Sequence, residues 1–418
     1  MRLPRFLLPA VALLTVVPAF AGCAAPGPEV GDRGATGATS SSTMPGSDAV
    51  PRDGVRELAE PALQITSLTP DGTVVQLDLA SEESAEIARI APAERVVGDG
   101  RYLFALRPGS VTVVDSGAWT WNHGDHVHYY RGEARVVGDV SGDGWPTVVP
   151  GERSIGIHFD GGAEGVSEAV LVKAAPLADG EIVELFRIGA EAHAPLVVPL
   201  AYGAWVAESA ATGQTATLRE VGEDGRRGEE TACRGARSPI VTVVGVVVEC
   251  HDGALLAVDG RPARAERIPL PGDAASQAST SSLAGREGRP TVAALAGEHA
   301  IRLLDTRDRQ WRHLAVDAPL VAVTAVDDRD GHVVAVAADG AVRVFADEAG
   351  SPVPVEVALD GEDAVLLARA GSVVALFPEQ HTTYVVAGGR VLAIDPAAAR
   401  VEHRYSVPAD GAAVLSGR

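Results

Sequence analysis

Three histidines and one aspartate fall within six residues of the chain, in the stretch WTWNHGDHVHYY that covers 119–130. Neutral imidazole nitrogens are preferred ligands of Zn²⁺, and three nitrogens with one carboxylate oxygen complete a tetrahedral shell. We therefore interpret His123, Asp125, His126 and His128 as candidate metal ligands. The spacing does not select the metal, because Cu²⁺ and Ni²⁺ also bind imidazole, often more tightly than Zn²⁺ does.

Strand geometry predicts which of these side chains lie together. Side chains alternate along an extended chain, so His126 and His128 are expected on one side, and His123 and Asp125 on the other. A bend at Gly124, which glycine permits readily, would bring His123 round to the pair. The alternative interpretation is a polar surface loop whose histidines only lie near aromatic residues.

The first residues indicate the compartment. Arg2 and Arg5 precede an apolar run over 6–20 that is short for a membrane span. The run leads into FAGC, which resembles a bacterial lipobox and predicts a signal peptide over 1–22, cleaved before a lipidated Cys23. The alternative is an ordinary secretory signal. In both cases we expect the mature chain outside the cytosol, on the outer face of the cell membrane as a lipoprotein or in the periplasm.

The composition separates a tether from a folded domain. Residues 23–55 are rich in Gly, Ala, Ser, Thr and Pro without periodicity, which predicts a disordered tether and leaves 56–418 as the functional domain. A net charge of −21 argues against a nucleic-acid-binding surface, which needs basic patches to neutralise phosphates.

A repeated pair of apolar β-rich runs organises the folded domain. The copies recur at a mean spacing of about 47 residues, close to the repeat of a four-stranded propeller blade. They begin near residues 101, 147, 195, 241, 290, 332 and 384. The pattern predicts an all-β, seven-bladed β-propeller with four short antiparallel strands per blade, and eight blades as the alternative. Residues 62–79 are expected to pair with the last blade and close the ring. A β-sandwich would not explain the spacing, and no segment shows a sustained helical apolar face.

Cysteine usage gives a separate prediction. If Cys23 carries lipid, Cys233 and Cys250 remain as an even number in an oxidising compartment, which favours a disulfide between them. The bond requires the chain to double back over the intervening run. The alternative is two free thiols that act as soft metal ligands.

Four motifs together resemble the AztD-type zinc metallochaperones, which are propeller proteins that serve zinc-uptake ABC transporters. They are HGDHVH at 123–128, FDGG at 159–162, HAPLVVPL at 193–200, and the CRG and ECHDG segments around the two cysteines, within 233–253. The resemblance implies a zinc site that passes its metal to the solute-binding protein of the transporter.

The resemblance also implies roles for single residues. His123, His126 and His128 would be zinc ligands, Asp125 a ligand or an orienting group, and His193 a further ligand from elsewhere in the chain. If the hairpins near 101 and 195 are equivalent, the cluster and His193 emerge on the same face of the ring.

The expected function is therefore zinc delivery outside the cytosol, by a monomer that touches the membrane only through its lipid anchor and binds no nucleic acid. The alternative is an envelope scaffold that binds proteins and has no metal role. We expect no enzyme, because the sequence contains no nucleophile elbow, no Ser-His-Asp order and no phosphate-binding glycine loop.

Overall fold

The computed structural model describes residues 54–122, 126–162, 165–191, 193, 195–209, 215–258, 260, 263–272, 279–346, 354–408 and 412–418. These residues fold mainly as antiparallel β-strands. The predicted signal peptide, Cys23 and the tether as far as residue 53 lie outside the described residues, so their assignment stays a prediction.

The strands are short and follow one another through tight turns. In chain order they are β1 (Arg56–Leu58), β2 (Gln64–Leu68), β3 (Thr73–Asp78), β4 (Ser84–Arg89), β5 (Arg95–Gly98), β6 (Tyr102–Arg107), β7 (Ser110–Asp115), β8 (Ala118–Asn122), β9 (Val127–Arg131), β10 (Arg135–Ser141), β11 (Trp145–Pro150), β12 (Ser154–Asp160), β13 (Glu168–Lys173), β14 (Glu184–Gly189), β15 (Val197–Leu200), β16 (Gly203–Ser209), β17 (Thr215–Val221), β18 (Arg227–Ala232), β19 (Arg237–Thr242), β20 (Gly245–Cys250), β21 (Gly253–Val258), β22 (Arg264–Pro269), β23 (Thr291–Leu295), β24 (Ala300–Asp305), β25 (Gln310–Ala315), β26 (Leu320–Ala325), β27 (Val333–Ala337), β28 (Val342–Phe345), β29 (Val355–Glu356), β30 (Ala375–Pro378), β31 (Thr383–Ala387), β32 (Arg390–Asp395), β33 (Arg400–Ser406) and β34 (Ala412–Ser416).

Eight sheets follow one another along the described part of the chain, each of three or four antiparallel strands. Their strand orders are β34-β2-β3-β4, β5-β6-β7-β10, β11-β12-β13-β14, β15-β16-β17-β18, β19-β20-β21-β22, β23-β24-β25, β26-β27-β28-β29 and β30-β31-β32-β33. A ninth, smaller sheet is β1-β9-β8, whose hairpin interrupts the second sheet between β7 and β10. This is the all-β propeller architecture that the repeat predicts.

The last strand of each of these eight sheets is its most exposed one. In the fourth sheet β15 is buried along its whole length, whereas β18 is almost entirely exposed. Apolar side chains of neighbouring sheets meet between them: Phe104 and Val111 of the second sheet pack with Ile157 and Val172 of the third. Each sheet thus buries both of its faces against its neighbours, which explains why the inner strands read as continuous apolar runs.

The two ends of the domain meet in one sheet. β2 pairs with β34 in a register that joins Gln64 to Ser416, so the predicted pairing of residues 62–79 with the C-terminal part of the chain is confirmed. It differs in one respect, since β2 and β3 form a sheet with β34 and β4 rather than joining the sheet of the copy near 384. The seven predicted copies fall in the other seven sheets.

The predicted disulfide is confirmed. Cys233 and Cys250 are bonded, with 5.1 Å between their Cα atoms, because β19 and β20 form the hairpin that doubles the chain back. Both residues are buried in a cluster with Trp205 and Leu255. In the chain-entropy account, closing a loop of this length stabilises the fold by about 3 kcal/mol.

One α-helix departs from the expected absence of helices among the described residues. Helix α1 (Gly361–Ala370) lies between β29 and β30. The Asp360 carboxylate caps it by accepting a hydrogen bond from the Asp363 backbone N at 2.9 Å, and Leu367 packs into the core. None of the described helices has the length and apolar character needed to cross a membrane.

Candidate metal centre

The histidine cluster lies on the inserted hairpin formed by β8 and β9. Both strands are rich in aromatic and β-branched residues, which favours a pleated pair. Trp121 pairs with His128 and Trp119 with Tyr130 in the register of this hairpin. β1 adds a third strand, in which Glu57 pairs with Tyr130. Because residues directly opposite each other point to the same side, all five side chains share one face.

The predicted alignment of His126 and His128 is what the structure shows. Their ring centroids are 4.7 Å apart and the rings are inclined at 62°. Trp121 stacks on the His128 ring at 5.4 Å, and Tyr130 lies 6.0 Å from it with nearly parallel planes. The neighbouring aromatic rings limit the tilt of the His128 imidazole.

Glu57 contacts this pair from a distant part of the chain. Its Oε1 is 2.6 Å from Nδ1 of His128, and the His128 side chain is 22% exposed. A carboxylate only accepts hydrogen bonds, so His128 donates its Nδ1 hydrogen to Glu57, and in the neutral imidazole the lone pair is then on Nε2. No sequence motif marks Glu57, which lies 71 residues before His128 in the chain.

Ion pairs and a cation–π contact fix the hairpin to the ring. The Arg101 guanidinium lies 4.0 Å from the Trp119 ring centroid and pairs with Asp115, Nη2 to Oδ2, at 2.8 Å. Arg131, at the end of β9, pairs with Asp78. Burial alone would raise the pKa of Asp78, but hydrogen bonds from the Ser81 backbone N and from Arg131 outweigh it and lower that pKa.

A half-buried carboxylate lies beside this anchor. Asp99 Oδ1 accepts hydrogen bonds from the backbone N of Tyr102 at 2.6 Å and of Arg101 at 3.0 Å. Burial raises the pKa of Asp99 to about 6, and the charge of Glu287 adds to this shift against the opposing hydrogen bonds. The inserted hairpin is thus anchored next to a carboxyl group that ionises at a higher pH than an ordinary aspartate does.

Only part of the predicted ligand set falls on described residues. His126 and His128 lie together as above, whereas His123 and Asp125 lie outside the described residues. Within the part of the chain that is described, no group of three or more His, Cys, Asp or Glu side chains is arranged to hold a metal ion. A complete ligand shell therefore stays a prediction that depends on His123 and Asp125.

His193 lies at the other edge of the ring. Four antiparallel strands return the chain to the edge at which it entered, so the first strand of each sheet starts at the same edge. The inserted hairpin follows β7, a third strand, whereas His193 precedes β15, a first strand. The expectation of a shared face is therefore wrong: the copy near 101 consists of β6 and β7, second and third strands, and is not equivalent to the copy near 195, β15 and β16.

A second histidine–carboxylate group surrounds His193. Its Nδ1 is 3.3 Å from Asp160 Oδ2, and Asp160 also accepts hydrogen bonds from the backbone N of His193 at 3.2 Å and of Gly162 at 2.9 Å. His158, two residues before Asp160 on β12, is fully buried and its Nε2 donates to the Glu191 carbonyl at 3.1 Å. Burial lowers the pKa of His158, which keeps this imidazole neutral.

His158 belongs to this group through Asp160, and no motif in the sequence marks it. The signal was present in the alternation of β12, because His158 and Asp160 are two residues apart and share a face. His158 Nδ1 is buried without a hydrogen-bond partner among the described residues.

Comparisons with known proteins bear on the fold. No protein-family profile matches the chain, and no curated protein matches its sequence. Two structures of AztD from Citrobacter koseri, one of them of the apo protein, each superpose with a TM-score of 0.68 at 18% identity, over 86% of this chain and 100% of that one. Dihydro-heme d1 dehydrogenase NirN in complex with DHE gives a TM-score of 0.49 at 15% identity, over 87% of this chain and 76% of the other. The similarity to AztD shows that this chain has an AztD-like propeller fold.

Proposed function

We propose that this chain is a zinc-binding metallochaperone that works outside the cytosol and delivers zinc to the solute-binding protein of a zinc ABC transporter. The observation that carries the proposal is the imidazole pair of His126 and His128, with ring centroids 4.7 Å apart on the inserted hairpin. The AztD-like fold supports it, because the sequence motifs resemble AztD-type zinc metallochaperones and the fold agrees with that resemblance.

The donor chemistry of the hairpin suits zinc as cargo. Two imidazole nitrogens come from His126 and His128, and the proposal takes His123 and Asp125 as the third nitrogen and the oxygen of a tetrahedral shell. The four proposed ligands fall within six residues of the chain, 123–128, so an acceptor can replace them one after another. The side chains of His126 and His128 are within reach of an acceptor, since neither residue is buried.

The proposal also covers the number of blades and the location of the domain. We infer eight blades in one ring, supported by the eight successive sheets and the pairing of β2 with β34. We infer a lipid on Cys23 and a tether over 23–55 that hold this ring at the outer face of the cell membrane. The Cys233–Cys250 disulfide is compatible with that location.

The test compares two double variants of the mature protein. His126→Ala with His128→Ala should lower Zn²⁺ affinity by about 100-fold or more in a competition titration with a chromophoric chelator, because two ligands are removed. The matched control is His313→Ala with His403→Ala, which removes two exposed imidazoles from the outer strands β25 and β33 and should leave the affinity unchanged.

Delivery is measured on the wild-type chain. Zinc-loaded protein, mixed with the zinc-free solute-binding protein of a zinc ABC transporter, should transfer its metal faster than it releases zinc to a chelator. Unchanged tight binding in the hairpin variant would exclude the hairpin as the main site. Tight binding with transfer no faster than release would exclude the delivery role and favour a scaffold or storage role.

A further inference from the structure

The contact between Glu57 and His128 joins the inserted hairpin to β1, the first described strand of the domain. β1 has only three residues, and its register on β9 places the Glu57 side chain on the face that carries His128 and Tyr130. Glu57 Oε1 lies 2.6 Å from His128 Nδ1, although the Glu57 side chain itself is 53% exposed. β1 thus brings to the imidazole pair a carboxylate that no sequence motif includes.

We propose that Glu57 is a positioning residue for zinc binding, which accepts the Nδ1 hydrogen of His128 and so holds this ring in the tautomer whose Nε2 lone pair binds the metal. The inference rests on the proposed function, because it assigns a role through a proposed zinc ligand.

The effect of Glu57 on the tautomer follows from the two nitrogens of the His128 imidazole. A neutral imidazole has one N–H and one lone pair, and the group that accepts from the N–H decides which nitrogen keeps the lone pair. An ionised carboxylate at Nδ1 therefore selects Nε2 as the metal-binding atom. Metal-binding histidines commonly donate their other N–H to a carboxylate, and loss of that partner weakens metal binding by about 10–100-fold.

The hydrogen bond to Glu57 restrains the rotation of the His128 imidazole within its own plane, which stacking does not fix. Trp121 and Tyr130 lie nearly parallel to the imidazole, at interplanar angles of 25° and 15°. Stacking of this kind restrains the tilt of the plane, but it does not distinguish Nδ1 from Nε2. Glu57 contributes that distinction.

The experiment uses three single variants of the full mature chain. Glu57→Ala removes the acceptor, Glu57→Gln keeps a neutral acceptor oxygen, and Glu60→Ala removes a neighbouring exposed carboxylate as the control. Zn²⁺ affinity is measured by competition titration. The tautomer of His128 in the zinc-free protein is read from ¹⁵N NMR of the imidazole nitrogens at about pH 8.

Glu57→Ala should weaken zinc binding about 10-fold and shift His128 away from the Nδ1–H tautomer. Glu57→Gln should keep that tautomer and lose less affinity, and Glu60→Ala should match the wild type. A loss of affinity in Glu57→Ala with an unchanged tautomer would overturn the proposal, as would equal losses in both Glu57 variants. If the double variant His126→Ala with His128→Ala still binds zinc tightly, the proposed function itself fails. If that double variant loses zinc affinity but Glu57→Ala binds zinc as tightly as the wild type, only this inference is refuted.

Discussion

Two histidine–carboxylate groups lie at opposite edges of the same ring, and they are held in different ways. On the inserted hairpin His128 is 22% exposed and is restrained by stacked aromatic rings and by Glu57. At the other edge His158 is fully buried, and a backbone carbonyl rather than a side chain accepts from its Nε2. The comparison separates an imidazole that is partly exposed from one that is part of the packing of its sheet.

The carboxylates beside the two groups also differ in their acid behaviour. Asp160 would have a raised pKa from burial, but hydrogen bonds from the backbone N of Gly162 and His193, together with the two nearby imidazoles, lower it below its ordinary value. Asp99, beside the anchor of the hairpin, has its pKa raised to about 6 by burial. The two edges of the ring are therefore expected to respond to pH in opposite directions.

The largest expected effect on the stability of the fold comes from substitution of the buried His158. His158→Ala should lower the free energy of unfolding by about 2–3 kcal/mol, because it leaves a cavity in β12 and an unpaired Glu191 carbonyl. Urea unfolding measures this, with the exposed His313→Ala as the control. The zinc affinity of the inserted hairpin should not change in His158→Ala. A fall in affinity as large as that of the double variant His126→Ala with His128→Ala would mean that the two histidine–carboxylate groups are coupled.

The next effect concerns Asp160 and acid stability. A carboxyl group with a lowered folded pKa stabilises the fold above its unfolded value of 3.8, and this contribution disappears as the pH falls through the folded pKa. Asp160→Asn should therefore lose about 1 kcal/mol at neutral pH and show a flatter decline of stability below about pH 4. Unfolding as a function of pH, with Asp317→Asn as the control, checks this. A parallel decline in variant and wild type would contradict it.

Asp99 should give a smaller effect of the opposite sign. Its folded pKa of about 6 exceeds the unfolded value of 3.8, so its contribution is full below 3.8 and is lost as the pH rises through 6. Asp99→Asn keeps an oxygen for the backbone N of Tyr102 and Arg101, and should raise stability at about pH 8 by about 0.5 kcal/mol. Thermal unfolding at about pH 4 and 8 measures the difference. A variant that is less stable than the wild type at about pH 8 would refute the assignment.

Local patterns in the sequence predicted much of this fold and part of the site. The repeat predicted the succession of sheets, and cysteine usage predicted the Cys233–Cys250 bond. The common side of His126 and His128 followed from strand alternation over two residues. These features depend on neighbours in the chain or on a period, and both are visible in a single sequence.

Features that depend on which strands pair were not predictable in the same way. Apolar strands look alike whether they are first or third in a sheet, so the sequence does not show that the copies near 101 and 195 occupy different places in their sheets, and the shared face expected from their equivalence is wrong. Glu57 reaches His128 only because β1 pairs with β9. The short helix α1 has too few turns to show a sustained apolar face.

The smallest expected effect is the strictest test of the comparison. His128→Ala removes a partly exposed ring and its hydrogen bond to the exposed Glu57 carboxylate, so the free energy of unfolding should change by about 0.3 kcal/mol or less. Urea unfolding of zinc-free protein measures it beside His158→Ala. If the two substitutions destabilised the chain equally, the hairpin imidazole would be a structural residue, and its exposure would no longer argue for ligand exchange. A near-zero change with a large loss of zinc affinity would instead mean that the residue contributes to binding and hardly at all to folding.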